Sequence, residues 1–133
     1  MTMTMTRSEL LASDEADYMD AGQLAYFRDL LQRERTAVLS QIEAPADLVD
    51  PTSFADPSDR ASFEEERANA QRERGRLDTR LIEIGLALKR IESGDYGYCT
   101  ETGDPIGLGR LLIQPTATLC IEAQERNEHR RRR

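Results

Sequence analysis

Residues 77–91 read LDTRLIEIGLALKRI, and their apolar side chains recur at alternating intervals of four and three residues. The positions that share this spacing are Leu77, Leu81, Ile84, Leu88 and Ile91. The spacing continues toward the N terminus through Arg74, Ala70, Arg67 and Phe63. A 4-3 repeat places its members on one narrow stripe of a helix and is typical of a coiled coil. The stretch therefore predicts a long helix that buries one seam against a second helix.

The ends of this helix carry recognisable signals. Asp56 is an N-cap candidate, Pro57 suits the first helical position, and Asp59 lies in the first turn. Ser93 and Gly94 predict the end, because glycine readily takes the left-handed cap conformation. A helix over residues 57–93 would be roughly 50 Å long.

A second apolar stripe precedes this helix and predicts its partner, a helix from about Ala21 to Glu43. The apolar positions on one face are Leu24, Phe27, Leu31, Val38 and Ile42. Neither helix can bury its stripe alone, and the short connection favours an antiparallel hairpin over residues 21–94, with its tip at 44–61. Two seam positions are arginines, Arg67 and Arg74, for which Glu34 is a candidate partner.

The composition fits a narrow helical protein. The 133 residues are 38% hydrophobic and 32% charged, with no tryptophan, mean hydropathy −0.64 and a formal charge of −7. Residues 1–20 predict an N-terminal extension with a short helix. Neither a membrane span nor a secretory signal is recognisable, so we expect a cytoplasmic monomer in a reducing setting. The acidic balance argues against sequence-specific DNA binding.

The cysteine spacing predicts a small knuckle over residues 95–123, followed by a C-terminal helix and basic tail over 118–133. Cys99 and Thr102 form one C-x2-C-like pair, and Cys120 and Ala123 form the other after seventeen intervening residues. Four cysteines at these positions would be a structural zinc site. Threonine is a poor zinc ligand and alanine is none, so we predict a degenerate, metal-free knuckle of zinc-finger type.

Three interpretations of Cys99 and Cys120 remain open. In the first interpretation, which we favour, both cysteines are small buried apolar residues. In the second interpretation, they form a redox-sensitive disulfide that closes a loop of about twenty residues and would add about 3 kcal/mol to the free energy of unfolding. In the third interpretation, they bind zinc together with His129, Glu122 or Glu101.

These pieces together resemble the DksA/TraR family of bacterial transcription factors. The stretches that carry the resemblance are YMDAGQLAYFR at 18–28, DPSDRA at 56–61, YGYC at 96–99, PIG at 105–107 and PTATLCI at 115–121. The resemblance implies binding to RNA polymerase, with the coiled coil in the secondary channel. It also implies repression of ribosomal RNA promoters together with ppGpp. The missing ligands at 102 and 123 make the chain similar to the zinc-free members of the family.

The resemblance also assigns residues. The family's tip motif D-x-x-D-x-A corresponds to Asp56, Asp59 and Ala61, which would contact polymerase near its active site. Arg76 resembles a polymerase-contacting position. The basic residues that face ppGpp in the family correspond to Glu83, Gln114 and Gln124, none of them basic, so Arg80 or Arg110 are the candidate substitutes.

Other functions and roles remain open. Asp56 and Asp59 also suit a helix start without any partner. A secondary-channel factor whose acidic tip holds Mg²⁺ and stimulates transcript cleavage is one alternative. A thiol-based redox sensor or coiled-coil adaptor is the other. The chain carries no nucleophile–base pair, P-loop or dinucleotide fingerprint, so we expect that it is not an enzyme.

Overall fold

The structure, a computed structural model, describes residues 5–43 and 55–132. Its helices are α1 (Arg7–Leu11), α2 (Ala21–Glu43), α3 (Pro57–Ser93), α4 (Leu108–Ile113) and α5 (Ile121–Arg131), with a short 3-10 helix at Glu15–Asp17. The described residues form no strand beyond an isolated antiparallel bridge between Tyr98 and Pro105. The mostly α fold is confirmed. Most of the predicted tip (44–54), the first four residues and Arg133 lie outside the described part.

The ends of α3 follow from the sequence signals. The Asp56 side chain accepts a hydrogen bond from the Ser58 N–H at 2.9 Å, and Pro57 is the first helical residue. Gly94 ends the helix with φ +85°, and its N–H points at the carbonyls of Arg90 and Ile91. Both ends are therefore capped by the residues that the sequence predicts.

α2 and α3 pack against each other and bury one apolar stripe from each helix. The buried residues of the two stripes are Phe27, Leu31 and Val38 on α2, and Ile84, Ala87 and Ile91 on α3. Leu77, Leu81 and Leu88 are partly buried against this core. The seam that the sequence predicts is confirmed from Leu77 to Ile91.

The predicted seam is wrong for its middle part, because Arg67, Ala70 and Arg74 are exposed. Arg74 pairs with Asp78 on its own helix at 3.2 Å. Glu34 pairs with Arg80 and not with either seam arginine. A guanidinium retains its hydration more readily on the surface than in a buried stripe, so the repeat continues in sequence without continuing as a buried interface.

The N-terminal segment packs on the knuckle. Leu10 is fully buried, and the Tyr18 hydroxyl donates to the Gly97 carbonyl at 2.5 Å and accepts from the Gly107 N–H at 2.9 Å. Met19 lies so close to Gly97 that a Cβ there would be 2.7 Å from its Cγ and Sδ atoms. Gly97 also has φ +89°, so both its conformation and its neighbour require glycine.

The coiled coil is joined to the knuckle through the end of α3. Tyr96 is buried against Phe27, with 5.6 Å between the ring centroids, and its hydroxyl donates to the Pro115 carbonyl at 2.7 Å. The Arg90 guanidinium donates to the carbonyls of Asp95 and Tyr98. These contacts fix the connection between the two parts.

The last helix begins at Ile121 and not near Thr118 as the sequence suggests. Cys120 has an extended conformation at the N-cap position, and the Thr118 carbonyl accepts from the Thr100 N–H at 2.9 Å. The knuckle therefore uses residues 118–120 for its own turns before α5 can start. In the described segments, no helix has both the length and the apolar character that crossing a membrane requires.

Candidate functional site

The predicted tip residues that the structure describes lie at the start of α3. Asp56, Asp59 and Ala61 are all exposed. Asp56 uses its carboxylate as the helix cap, whereas nothing in the described residues hydrogen-bonds the Asp59 carboxylate. Both carboxylates lie near the partial positive charge of the helix N terminus. Asp56 therefore has a structural role, and Asp59 and Ala61 face outward.

The two candidate arginines of α3 have different environments. The Arg76 side chain is 74% exposed, and among the described residues it pairs with Glu73 of its own helix at 3.1 Å. The Arg80 side chain is 33% exposed; its Nη2 contacts Glu34 Oε2 at 2.6 Å and its Nη1 donates to Thr116 Oγ1 at 3.1 Å. The structure thus leaves Arg76 open to a partner and engages Arg80 inside the molecule. Sequence reasoning missed this role of Arg80, because no local signal indicates that Thr116 returns to α3.

The knuckle is held together by backbone hydrogen bonds. The Cys99 N–H donates to the Asp104 carbonyl at 2.8 Å, and the Gly103 N–H donates to the Cys99 carbonyl at 2.9 Å. The Ile106 N–H donates to the Gly97 carbonyl at 2.8 Å across the bridge. Gly103 has φ +76°, which glycine adopts without strain. These backbone hydrogen bonds form the tight turn of a zinc knuckle, and no side chain takes part in them.

Three positions of the degenerate zinc site form one buried cluster, and the fourth, Thr102, is exposed at its edge. Cys99 and Cys120 are free, buried thiols, and Ala123 is 0% exposed beside them. The Thr102 hydroxyl lies 3.8 Å from Cys120 Sγ and accepts from the Asp104 N–H at 3.2 Å. The structure therefore brings together all four positions that the sequence spacing singled out.

The Cys99 thiol has an unusual environment. Burial opposes its thiolate, but hydrogen bonds from the Thr102 side chain and from the backbone of Cys120, Thr102 and Glu101 outweigh burial and lower the pKa of Cys99 to about 6. Backbone N–H groups directed at a sulfur stabilise its negative charge. The knuckle thus stabilises a thiolate at position 99 with its own polar groups.

The cluster does not suit a structural zinc ion. Such a site needs four ligands, and the fully buried Ala123 methyl occupies one of the four positions. His129 and Glu122 are exposed on α5, and Glu101 accepts a hydrogen bond from Asn127 at 3.0 Å. Within residues 5–43 and 55–132, no three histidine, cysteine, aspartate or glutamate side chains cluster suitably for a metal ion.

The positions that resemble the family's ppGpp-facing residues do lie together. A cavity of about 200 Å³ is lined by Glu83, Gln114, Gln124 and Arg110, among others. The Arg110 Nε donates to the Leu119 carbonyl at 3.0 Å, and its Nη2 contacts Gln124 Oε1. Arg110, a candidate substitute for the missing basic residues, is therefore bonded to the knuckle and to α5.

A long helical hairpin with an acidic, exposed end and a small knuckle at its base defines a class of protein. Residues 23–91 match the family model described as "DnaK suppressor protein DksA, N-terminal domain". Residues 94–129 match the one described as "Prokaryotic dksA/traR C4-type zinc finger". The chain belongs to the DksA/TraR family, as its sequence motifs predict.

Individual relatives agree with this assignment. The RNA polymerase-binding transcription factor DksA of Caulobacter vibrioides (strain NA1000 / CB15N) is 42% identical, over 98% of this chain and 94% of the relative. Its counterpart in Escherichia coli (strain K12) is 36% identical, over 81% and 73%. A solved structure of the transcription factor DksA2 from Pseudomonas aeruginosa is 49% identical and covers 96% of this chain and 100% of that chain, with a TM-score of 0.83.

Proposed function

We propose that this protein binds RNA polymerase, inserts its coiled coil into the secondary channel and modulates transcription initiation, including repression of ribosomal RNA promoters. The observation that carries the proposal is the exposed Asp59 carboxylate, which forms no hydrogen bond or ion pair with a described residue, at the far end of a 37-residue helix. Relatives that match most of the chain are named RNA polymerase-binding transcription factors.

The geometry of the coiled coil supports this mode of action. A helix of 37 residues is about 55 Å long, which suits a narrow channel that a globular domain cannot enter. Asp59 and Ala61 face outward at its end. The carboxylate would compete for, or displace, polar elements near the polymerase active site, and the small Ala61 side chain would permit close approach. The protein itself catalyses no reaction in this proposal.

The proposal includes independence from zinc. The knuckle is closed by backbone hydrogen bonds, by the Arg110 contacts and by the buried Cys99, Cys120 and Ala123 cluster. In a zinc-binding knuckle, the metal ion would hold these segments together. In this proposal, the hydrogen bonds and the buried cluster do so instead. The protein would therefore work when zinc is scarce.

The stringent-response part of the proposal concerns ppGpp as a co-regulator. The surface that resembles the family's ppGpp-facing site carries Glu83, Gln114 and Gln124, and its neighbour Arg110 is bonded within the chain. Anionic phosphates prefer unpaired guanidinium or ammonium groups. The effect of ppGpp is therefore measured separately, by running the transcription assay described next both with and without ppGpp.

The test is transcription in vitro from a ribosomal RNA promoter with purified polymerase, after chelator treatment of every protein sample. We expect the native protein to inhibit and Asp59→Asn to inhibit at least about tenfold less, the effect of about 1.4 kcal/mol at a contact. Equal inhibition by both proteins would contradict the role of the tip. Inhibition that returns only on adding zinc would contradict zinc independence.

An RNA cleavage assay distinguishes the transcript-cleavage alternative. Stalled elongation complexes are incubated with the protein, and the RNA is examined for shortening. We expect no stimulated cleavage, because the Asp56 carboxylate caps α3 and so does not join Asp59 as a free pair that could hold Mg²⁺. Cleavage that Asp59→Asn abolishes would favour the alternative.

A further inference from the structure

Arg80 is the side chain through which three parts of the fold meet. It extends from α3, and its guanidinium contacts Glu34 of α2 at 2.6 Å and Thr116 of the knuckle at 3.1 Å. A third, longer contact of 3.7 Å reaches Glu83 on its own helix. One nitrogen faces the helical partner and the other faces the knuckle, so the planar guanidinium bridges the two.

The knuckle segment that Arg80 contacts is also held by Tyr96, which lies just beyond the C-terminal end of α3. The Tyr96 hydroxyl donates to the Pro115 carbonyl, next to Thr116. Pro115, Thr116 and Ala117 are all buried. Fourteen residues separate Arg80 from the Gly94 cap, which corresponds to about 20 Å along the helix. Arg80 therefore reaches the knuckle from a point on α3 far from the chain connection, and its bond to Thr116 lies beside the bond of Tyr96 to Pro115. Together with the chain connection, these bonds oppose rotation of the knuckle.

We propose that Arg80 is a positioning residue that fixes the direction of the coiled coil relative to the knuckle. Without its guanidinium, the chain connection, the Tyr96 and Arg90 bonds and the core that the two parts share remain, and a larger fraction of molecules can adopt a second orientation of the knuckle. The inference goes beyond the proposed function, since it concerns the free protein. Its consequence, that tip and knuckle reach polymerase together, rests on that function.

The several N–H donors of the guanidinium and its planar shape are both needed for this role. It presents several N–H donors in one rigid plane, so it can bond Glu34 and Thr116 at once. A lysine ammonium is a point charge on a flexible stem and would keep the pair with Glu34 at the expense of Thr116. Methionine keeps most of the apolar stem but loses both bonds.

The experiment measures the distance between the two parts in the free protein. Nitroxides are attached through ketone-bearing unnatural residues at Gln71 on α3 and Glu125 on α5, both exposed, so that Cys99 and Cys120 stay unmodified. Distance distributions are compared for the native chain, Arg80→Met, Thr116→Val and Thr116→Ser. The control is Arg74→Met, which removes an arginine whose ion pair, within the described segments, is with Asp78 of the same helix.

We expect a single distance in the native chain and in Arg74→Met. In Arg80→Met and Thr116→Val, we expect the ratio of reoriented to docked molecules to rise about threefold to tenfold, as the loss of a partly exposed ion pair or hydrogen bond predicts. Thr116→Ser restores the hydroxyl and should restore the single distance. An unchanged distribution in Arg80→Met overturns the proposal.

Two further measurements separate reorientation from unfolding and from failure of the proposed function. The rate at which a thiol reagent reaches Cys99 and Cys120 reports the intact knuckle, and we expect it to stay at the native value in Arg80→Met. Global loss of protection would assign Arg80 to stability and overturn the positioning role. Polymerase binding is measured last; weaker binding by Arg80→Met is expected, and the distance result is independent of it.

Discussion

The two ends of α3 show how differently one helix can use its side chains. At the N-terminal end, Asp59 and Ala61 are exposed and contribute little to the fold, while Asp56 contributes a cap. At the C-terminal end, Ile91 and, three residues beyond the helix, Tyr96 are buried in the core. Residues that make few contacts within the chain can be specialised for a partner without loss of stability. Substitutions at the two ends should therefore separate binding from folding.

The largest expected effect comes from completing the zinc site in Thr102→Cys/Ala123→Cys. Four thiolates at the four knuckle positions should bind one zinc ion per chain and raise the free energy of unfolding by several kcal/mol. Chemical denaturation with zinc and with chelator, together with metal analysis, measures this gain.

The native chain is the control for this double variant, and its denaturation should be the same with zinc and with chelator. In chelator the double variant should be less stable than the native chain by about 1–3 kcal/mol, because a sulfur is added at the fully buried Ala123. A double variant that binds no zinc would show that the knuckle positions do not form a tetrahedral frame.

The next largest effect concerns Tyr96 at the buried end of α3. Tyr96→Ala removes a buried ring and its bond to Pro115 and should lower the free energy of unfolding by about 3–5 kcal/mol. Tyr96→Phe keeps the ring and should cost about 1–2 kcal/mol through the unpaired carbonyl. Urea denaturation followed by circular dichroism gives both values, and similar losses in both variants would show that the hydroxyl dominates.

A pH dependence should follow from Cys99. Its pKa in the folded protein is about 6 against 9.0 for the ordinary thiol, so its stabilising contribution is fully present above about pH 9 and is lost as pH falls through about 6. The free energy of unfolding, measured in reductant, should rise between these values by at most about 1.4 kcal/mol per pH unit.

Two variants isolate this contribution of Cys99. Cys99→Ala should remove the rise, and Thr102→Val should raise the pKa of Cys99 and reduce the rise, because the hydroxyl stabilises the thiolate. A native slope that Cys99→Ala leaves unaltered would assign the pH dependence to another group.

The smallest stability effect is expected at the exposed end. Asp59→Asn should change the free energy of unfolding by at most about 1 kcal/mol, since only a favourable charge at the helix N terminus is lost. Asp56→Ala, which removes the cap, should cost about 1 kcal/mol. Thermal denaturation compares the two, and a large loss in Asp59→Asn would remove the distinction between the ends of α3.

The sequence was sufficient for features that depend on local or periodic signals. The cap at Asp56, the end at Gly94 and the buried seam from Leu77 to Ile91 each follow from residues a few positions apart. The spacing of Cys99, Thr102, Cys120 and Ala123 also predicted the knuckle cluster. Such features were predictable because capping, helical periodicity and paired short loops are local constraints on the backbone.

Only the tertiary structure decided which charged and polar side chains are used within the chain. A heptad pattern cannot tell that Arg67 and Arg74 stay exposed, or that Glu34 pairs with Arg80, because pairing depends on how far one helix extends along another. The bond from Arg80 to Thr116 joins residues 36 positions apart. The sequence by itself determined the helices and the frame of the knuckle, while long-range packing decided how they are joined, since those contacts exist only after the chain has folded.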